Sequence, residues 1–293
     1  MTSITHTRIT PLKNILMVHR LVRLPNLLII VAAQYLCRVF VVGPTHQWKQ
    51  LLIEPGFFLL SLSTVCIAAA GYIINDYYDV KIDLINKPER VVVGRSMGRR
   101  VAMAAHTFLS LAGIGIGMLL SWKIALINLL SVFLLWLYSN QLKRMPFIGN
   151  LVIAALTAAS IMIVAIYYDL ENYLVHMFAL FAFYISLIRE IIKDMEDLRG
   201  DMHFGCRTLP IIWGIRKTKT IIYSILLLFV LSIMLLLLLL QHRALTIYFF
   251  TMGMPTLYFI YKLYWADTRR AYHHLSIFCK MVMLSGLTMM MLI

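Results

Sequence analysis

Residues 57–83 read FFLLSLSTVCIAAAGYIINDYYDVKID. Up to Asn75 the stretch carries no charged side chain. It is close to the ~20 residues that a helix needs to cross the hydrocarbon core of a bilayer. It then turns acidic, with Asp76, Asp79 and Asp83 at offsets of three and seven. On a helix of about 3.6 residues per turn, those offsets place three carboxylates on one ~60° stripe. Ionisable groups flush with the end of a membrane span are costly to keep there, and they mark functional positions.

The rest of the chain agrees with a membrane setting. Of 293 residues, 61% are hydrophobic and only 14% charged, with a mean hydropathy of +0.83. Soluble domains sit nearer half apolar and a quarter charged. Disorder, a collagen-like fibre and an ordinary soluble enzyme are thereby excluded. The sequence predicts an all-α, multi-pass membrane protein, one domain over 1–293. Its nine spans fall near 21–42, 57–75, 101–120, 124–138, 150–168, 174–192, 219–240, 245–264 and 275–293. The almost uninterrupted aliphatic run Leu226–Leu240 is expected to face lipid in part. No small-residue cleavage pattern follows the basic first 20 residues, so the first apolar segment reads as a retained span. Cys37, Cys66, Cys206 and Cys279 form no CxxC pair, which argues against a disulfide framework or a zinc site.

Charge placement orients the spans. The N-terminus and the loops after spans 2, 4, 6 and 8 hold 22 of the 27 Lys and Arg residues. The positive-inside rule then puts the N-terminus in the cytoplasm and the C-terminus outside, in the cell membrane. Bilayer topology thus accounts for the net charge of +14 without a nucleic-acid partner. Part of the excess can also serve acidic lipid headgroups or a phosphorylated substrate. Ten of the 13 acidic residues lie on this same face, which orientation does not explain.

A second acidic cluster supplies the reason. Asp194, Asp197 and Asp201, at the end of span 6, repeat the D-x-x-D-x-x-x-D spacing of the first cluster at a constant offset of 118. Four spans separate the two, so both reach the same membrane face. Read as helical stripes, they bring about six carboxylates into one small volume, which is tolerable only with cations between them. Carboxylates without His or Cys neighbours suit a hard divalent ion, Mg²⁺ before Zn²⁺. Mg²⁺ completes its shell with water and substrate phosphate, so two such stripes read as a diphosphate site. Arg90, Lys143, Arg144 and Lys193 stand near the clusters and could neutralise a phosphate leaving group. Arg99 and Arg100 come further along the same loop as Arg90. Any one of these cations alone reads equally well as a topology determinant. The 18 methionines read as packing, and adjacent His273 and His274 as structural or incidental.

The segments N-D-Y-Y-D-V-K-I-D-x-x-N-K-P-E-R at 75–90 and R-E-I-I-K-D-M-E-D-L-R-G-D at 189–201 resemble the UbiA superfamily of intramembrane prenyltransferases. So do Y-S-N-Q-L-K-R-M-P-F-I-G-N at 138–150 and R-T-L-P at 207–210. Val91 stands where many members carry proline. The resemblance implies nine transmembrane helices around a central cavity, with the aspartate motifs in capped cytoplasmic loops. It implies metal ligation by Asn75, Asp76, Asp79 and Asp83 from the first motif and Asp194, Asp197 and Asp201 from the second. Asp79, Asp83, Asp197 and Asp201 would be catalytic, with Glu190 behind the second motif. Arg23 and Asn26 look like the basic entry to the site, and Tyr138, with Tyr72 and Tyr184, could shield an allylic cation. The second motif is most similar to members that move a geranylgeranyl group from its diphosphate to geranylgeranylglyceryl phosphate. An aromatic quinone precursor or a tetrapyrrole would use the same donor machinery. A cation-coupled transporter is the rival class, but carriers hold ion ligands near the midplane on broken helices.

Overall fold

The computed structural model describes residues 17–292. Among them the chain is a bundle of long helices without a strand. Helix α1 (Leu24–Leu36) continues as a π-helical turn over Cys37–Val42. It is followed by α2 (Pro55–Asn86), α3 (Arg99–Leu120), α4 (Trp122–Asn140), α5 (Ile148–Tyr167) and α6 (Tyr173–Glu196). A short α7 (Leu198–His203) leads to α8 (Leu209–Leu240), α9 (Arg243–Thr251), α10 (Gly253–Trp265) and α11 (Arg269–Met290). Helices dominate because the bilayer core offers no water to backbone polar groups, and a helix satisfies them internally.

Among the described residues, eight rods are long and apolar enough to cross a membrane: α1 with its π turn, α2 to α6, α8, and α9 with α10. Helix α11 is a ninth long rod of 22 residues, made more polar by Arg269, Arg270 and Lys280. The protein is therefore a multi-pass membrane protein, close to the nine spans expected.

Two boundaries differ in an instructive way. The second span was expected to stop at 75, but α2 runs on to Asn86. No Gly or Pro interrupts 72–87, and Pro88 then ends the helix. The first acidic stripe is thus helix, not the loop that the resemblance implied. The seventh span, expected from 219, begins at Leu209 with Pro210 in its first turn and is interrupted at Gly214.

Helix α6 is the hub of the packing. Apolar residues on all its faces, from Val175 to Met195, are buried against α5, α8 and α11. By contrast, Leu227, Leu228, Leu231, Leu235 and Leu238 on α8 point outward, as the aliphatic run anticipated. Inside the bundle Gln34 of α1 is fully buried and donates to Thr64 Oγ1 at 3.0 Å and to the Ser160 carbonyl at 2.9 Å. Such a polar contact joins α1, α2 and α5 where apolar packing alone gives little specificity.

Candidate functional site

The site is built at the C-terminal tip of α2. Arg23, just before α1, adopts a left-handed backbone (φ 52°) that turns its side chain toward this tip. Its guanidinium meets Asp76 Oδ1 at 2.9 Å and lies 5.0 Å from the Tyr72 ring centroid, and Asn26 stands near the Tyr72 hydroxyl. One turn on, Lys143 Nζ pairs with Asp79 Oδ1, both side chains being largely buried. Lys143 can reach in because Gly149 lies against its backbone: a Cβ there would stand 2.8 Å from the Leu142 carbonyl oxygen. Asp83 completes the stripe on the same helix.

The second motif is not a continuous stripe. Helix α6 ends at Glu196, Asp197 forms a bend, and α7 starts at Leu198. The expectation of three carboxylates on one helical face therefore fails here. The physical reason is a clasp from α2. Asn86, buried, donates from Nδ2 to the Asp197 carbonyl at 3.1 Å and accepts at Oδ1 from the Gly200 N–H at 3.0 Å. A Cβ at Gly200 would come within 2.4 Å of the Asn86 amide, so only glycine permits this approach. Lys87 Nζ adds an ion pair to Asp197 Oδ2 at 2.6 Å, and Arg269 of α11 donates to the Asn86 carbonyl. Asp194, one turn back on α6, accepts from Asn150 Nδ2 at 2.8 Å.

The two motifs thus face each other across one small volume. The consequence for Asp201 is electrostatic. Burial first, then the nearby charges of Asp197 and Asp79, push its carboxyl up to about 7. Asp79 belongs to the other motif, so this coupling crosses between the two tips. Among the described residues no three His, Cys, Asp or Glu side chains already converge on one point. The carboxylates are spaced by the chain's own cations, Arg23, Lys143 and Lys87, rather than gathered into a bare cluster. Several polar atoms are nevertheless left over. Buried Asn75 Oδ1, Asp197 Oδ1, Arg189 Nε and Thr208 Oγ1 have no hydrogen-bond partner. Leaving such groups dry and unpaired is expensive, so Asn75 and Asp197, which lie in the motifs, are candidate ligand contacts.

Other expected residues divide clearly. Tyr138 lies within electrostatic reach of Glu190, Asp194, Asp79 and Arg23. Lys193 is drawn to Glu190, with Nζ 3.0 and 2.8 Å from its two oxygens, and Arg189 shares that carboxylate at 3.1 Å. Arg144 is exposed, and its carbonyl accepts from the Arg207 N–H at 2.8 Å. Tyr184 does not join the site: its ring packs 5.4 Å from Phe229, and its hydroxyl meets Ser232 at 3.3 Å. The Arg90 side chain lies outside the described residues. His273 is not incidental, since its Nδ1 stands 3.0 Å from Glu196 Oε1, beside the second motif. Sequence reasoning gave no role to Asn86, Lys87, Asn150 or Arg269 and read His273 as structural or incidental. Asn86 and Lys87 lay in the quoted N-K-P-E-R run and Asn150 ended the quoted 138–150 segment, whereas Arg269 carried no signal. Just below Arg189, an apolar crevice of about 50 Å³ lies between Ile185, Ile188, Phe229, Phe259, Phe278 and Cys279.

Comparison with known proteins places the chain in a family. The model of the UbiA prenyltransferase family matches residues 29–284, and the chain belongs to that family. It is 39% identical over 175 residues to the digeranylgeranylglyceryl phosphate synthase of Thermococcus gammatolerans, an alignment covering 60% of this chain and 61% of that one. The protein of the same name from Saccharolobus solfataricus is 38% identical over 176 residues, covering 59% and 62%. These alignments span about three fifths of the curated relatives' length. Among solved structures, one described as "Structural and mechanistic insights into the biosynthesis of Digeranylgeranylglyceryl phosphate synthase in membranes" superposes with a TM-score of 0.71 at 22% identity, covering 96% of this chain and 98% of that one. A UbiA homolog from Archaeoglobus fulgidus bound to DMAPP and Mg²⁺ gives 0.67 at 15% identity, covering 94% and 99%. Both likenesses establish the fold.

Proposed function

We propose that this chain, acting as one domain, is an Mg²⁺-dependent prenyltransferase that moves a geranylgeranyl group from its diphosphate to geranylgeranylglyceryl phosphate. The observation that carries the reading is the clasped pair of acidic tips with unpartnered oxygens, ringed by cations. The acceptor is suggested by the names of the curated relatives, and the ion and donor class by the homolog bound to DMAPP and Mg²⁺.

The donor set fits a hard cation. Asn75 Oδ1 and Asp197 Oδ1 are buried acceptors without a donor. Mg²⁺ takes only one or two protein carboxylates and leaves the rest of its shell to water and phosphate. Two such ions would share ligands drawn from Asn75, Asp76, Asp79 and Asp83 on α2 and from Asp194, Asp197 and Asp201 at the α6–α7 junction. When bound, the ion supplies Lewis-acid stabilisation of the charge that builds on the departing diphosphate. The chain's own residues do the remainder. Lys143, Lys87 and Arg23 fix the carboxylates now and can add positive charge around the phosphates. Asn86 and Gly200 keep the two motifs in register. Tyr138 and Tyr72 can present ring faces to a developing allylic cation. In the reaction the C1–O bond to diphosphate breaks, the acceptor hydroxyl oxygen bonds to C1, and its proton leaves. The polyprenyl tail would lie among the apolar helices beneath. The acidic tips would face the cytoplasm, with the N-terminus inside and the C-terminus outside the cell membrane, as the basic loops favour.

The test is transfer of labelled geranylgeranyl diphosphate to geranylgeranylglyceryl phosphate by purified protein in liposomes. Expected is Mg²⁺-dependent ether formation that EDTA abolishes. Full activity in EDTA would sink the reading. Transfer only to an aromatic acid or a tetrapyrrole would keep the donor chemistry and replace the acceptor.

A further inference from the structure

A second candidate site lies on the outer surface of the bundle, away from the clasped tips. An open groove of about 710 Å³ runs along α3 and is closed on one side by Tyr77 of α2. Along its length the chemistry changes from charged to apolar. Arg99 and Arg100 stand at the end nearest the acidic motifs, followed by Met103, Ala104, Thr107, Phe108 and Leu111. Positions 100, 104, 107, 108 and 111 repeat at helical spacing, so they form one continuous stripe.

Three features bear on what this stripe could hold. Among the described residues, neither Arg99 nor Arg100 meets a carboxylate, whereas Arg23, Lys87 and Lys143 all do. The Arg99 guanidinium stands 4.4 Å from the Tyr77 ring centroid at the edge of the groove, with the side chain still exposed. Phe108 and Leu111 are 72% and 65% exposed directly beyond the arginines. Two guanidinium groups lining one groove supply positive charge suited to a phosphate, and the apolar floor matches one hydrocarbon chain.

We propose that this groove binds an anionic phospholipid of the surrounding membrane, with its phosphate between Arg99 and Arg100 and one chain along Met103, Phe108 and Leu111. The site is separate from the diphosphate site, but not remote from it. Tyr77 neighbours Asp76 in sequence and packs edge-on against Tyr78 at 5.4 Å. A bound lipid would therefore brace the back of the α2 tip.

Photo-crosslinking tests this directly. The full chain is reconstituted in phosphatidylcholine liposomes with a trace of phosphatidylglycerol carrying a diazirine on its acyl chain, and labelled peptides are mapped. The expected result is labelling within residues 103–111 at least fivefold above that from a phosphatidylcholine probe with the same chain. Because a basic residue near a membrane surface adds about a fivefold preference for anionic lipid, Arg99→Gln with Arg100→Gln should remove that excess. Ala104→Trp, which fills the groove and keeps both arginines, should also suppress labelling and decides the matter if the double variant folds poorly. Equal labelling by the two probes, or unchanged labelling in Ala104→Trp, would overturn the proposal. Displacement of the probe by millimolar inorganic phosphate would overturn the lipid assignment in favour of a free-phosphate site.

Discussion

Helix α2 carries a charged cluster at each end, and the two are built on opposite plans. At its N-terminal end Glu54 has both carboxylate oxygens engaged. Oε2 accepts from Arg38 Nε at 3.1 Å and Nη2 at 2.9 Å, and Oε1 accepts from the Tyr168 hydroxyl at 2.7 Å. The Arg38 guanidinium also lies 4.1 Å from the Tyr168 ring centroid. Charge is balanced one to one there. At the C-terminal end carboxylates outnumber the cations paired with them, and Asn75 and Asp197 each keep an unpartnered buried oxygen. Both clusters tie helices together with ion pairs. Only the second keeps unpartnered buried oxygens beside its carboxylates, and the proposed ligand site rests on that difference.

That contrast makes definite demands on mutants. The largest effect belongs to the incomplete end. Asp79→Ala and Asp197→Ala should each lower prenyl transfer by ~10³-fold or more, since each removes a ligand for the ion that would stabilise the leaving group. Membrane insertion, followed by detergent extraction and size-exclusion profile, should be unchanged. Next comes the clasp. Asn86→Ala should cut activity by ~10- to 100-fold, the scale seen when a group supporting metal ligands is removed. The loss should appear mainly as a higher Mg²⁺ requirement in a titration of rate against Mg²⁺, because Asn86 positions Asp197 and Gly200 rather than touching substrate.

The complete cluster should behave in the reverse manner. Arg38→Met leaves Glu54 partly buried and without its cation, costing about 1–3 kcal/mol of stability. Thermal unfolding should shift down while the transfer rate per folded molecule stays at the parent value. A matching loss of turnover would show that the two ends are not independent. The smallest effect concerns pH. Asp201 in the folded protein titrates at about 7, above the ~3.9 of a free aspartate. Folding therefore favours its protonated form. That contribution is complete below pH ~4 and is lost as pH rises through about 7. Without divalent ion, unfolding temperature should decline between pH 5 and pH 8, and Asp201→Asn should flatten the decline. A slope unchanged in Asp201→Asn would assign the pH dependence to other groups.

Much of this was legible beforehand because it depends on local chemistry. Uncharged runs of span length reveal membrane helices, since every apolar side chain and backbone group there must be content without water. The matched D-x-x-D-x-x-x-D spacing put both motifs on one face by simple counting of spans. What counting could not show is which cation meets which carboxylate. Lys143 and Asp79 lie 64 positions apart, and Lys87 and Asp197 lie 110 apart. Pairing at such separations is set by how helices cross. The bend at Asp197 was hidden for the same reason: the local sequence allows a helix through Asp201, and the break is imposed by Asn86 from another rod. His273 and Arg269, at the start of α11, were invisible as supports of the motif because nothing near them in the chain is acidic except Asp267.

Class, span count and the pair of acidic motifs therefore follow from the order of residues alone, because hydrophobic length and carboxylate spacing act within a single helix. The division of charges into a closed clamp at one end and an unfinished pocket at the other came from packing. It depends on burial and on partners from different helices, and both arise only once the bundle has assembled.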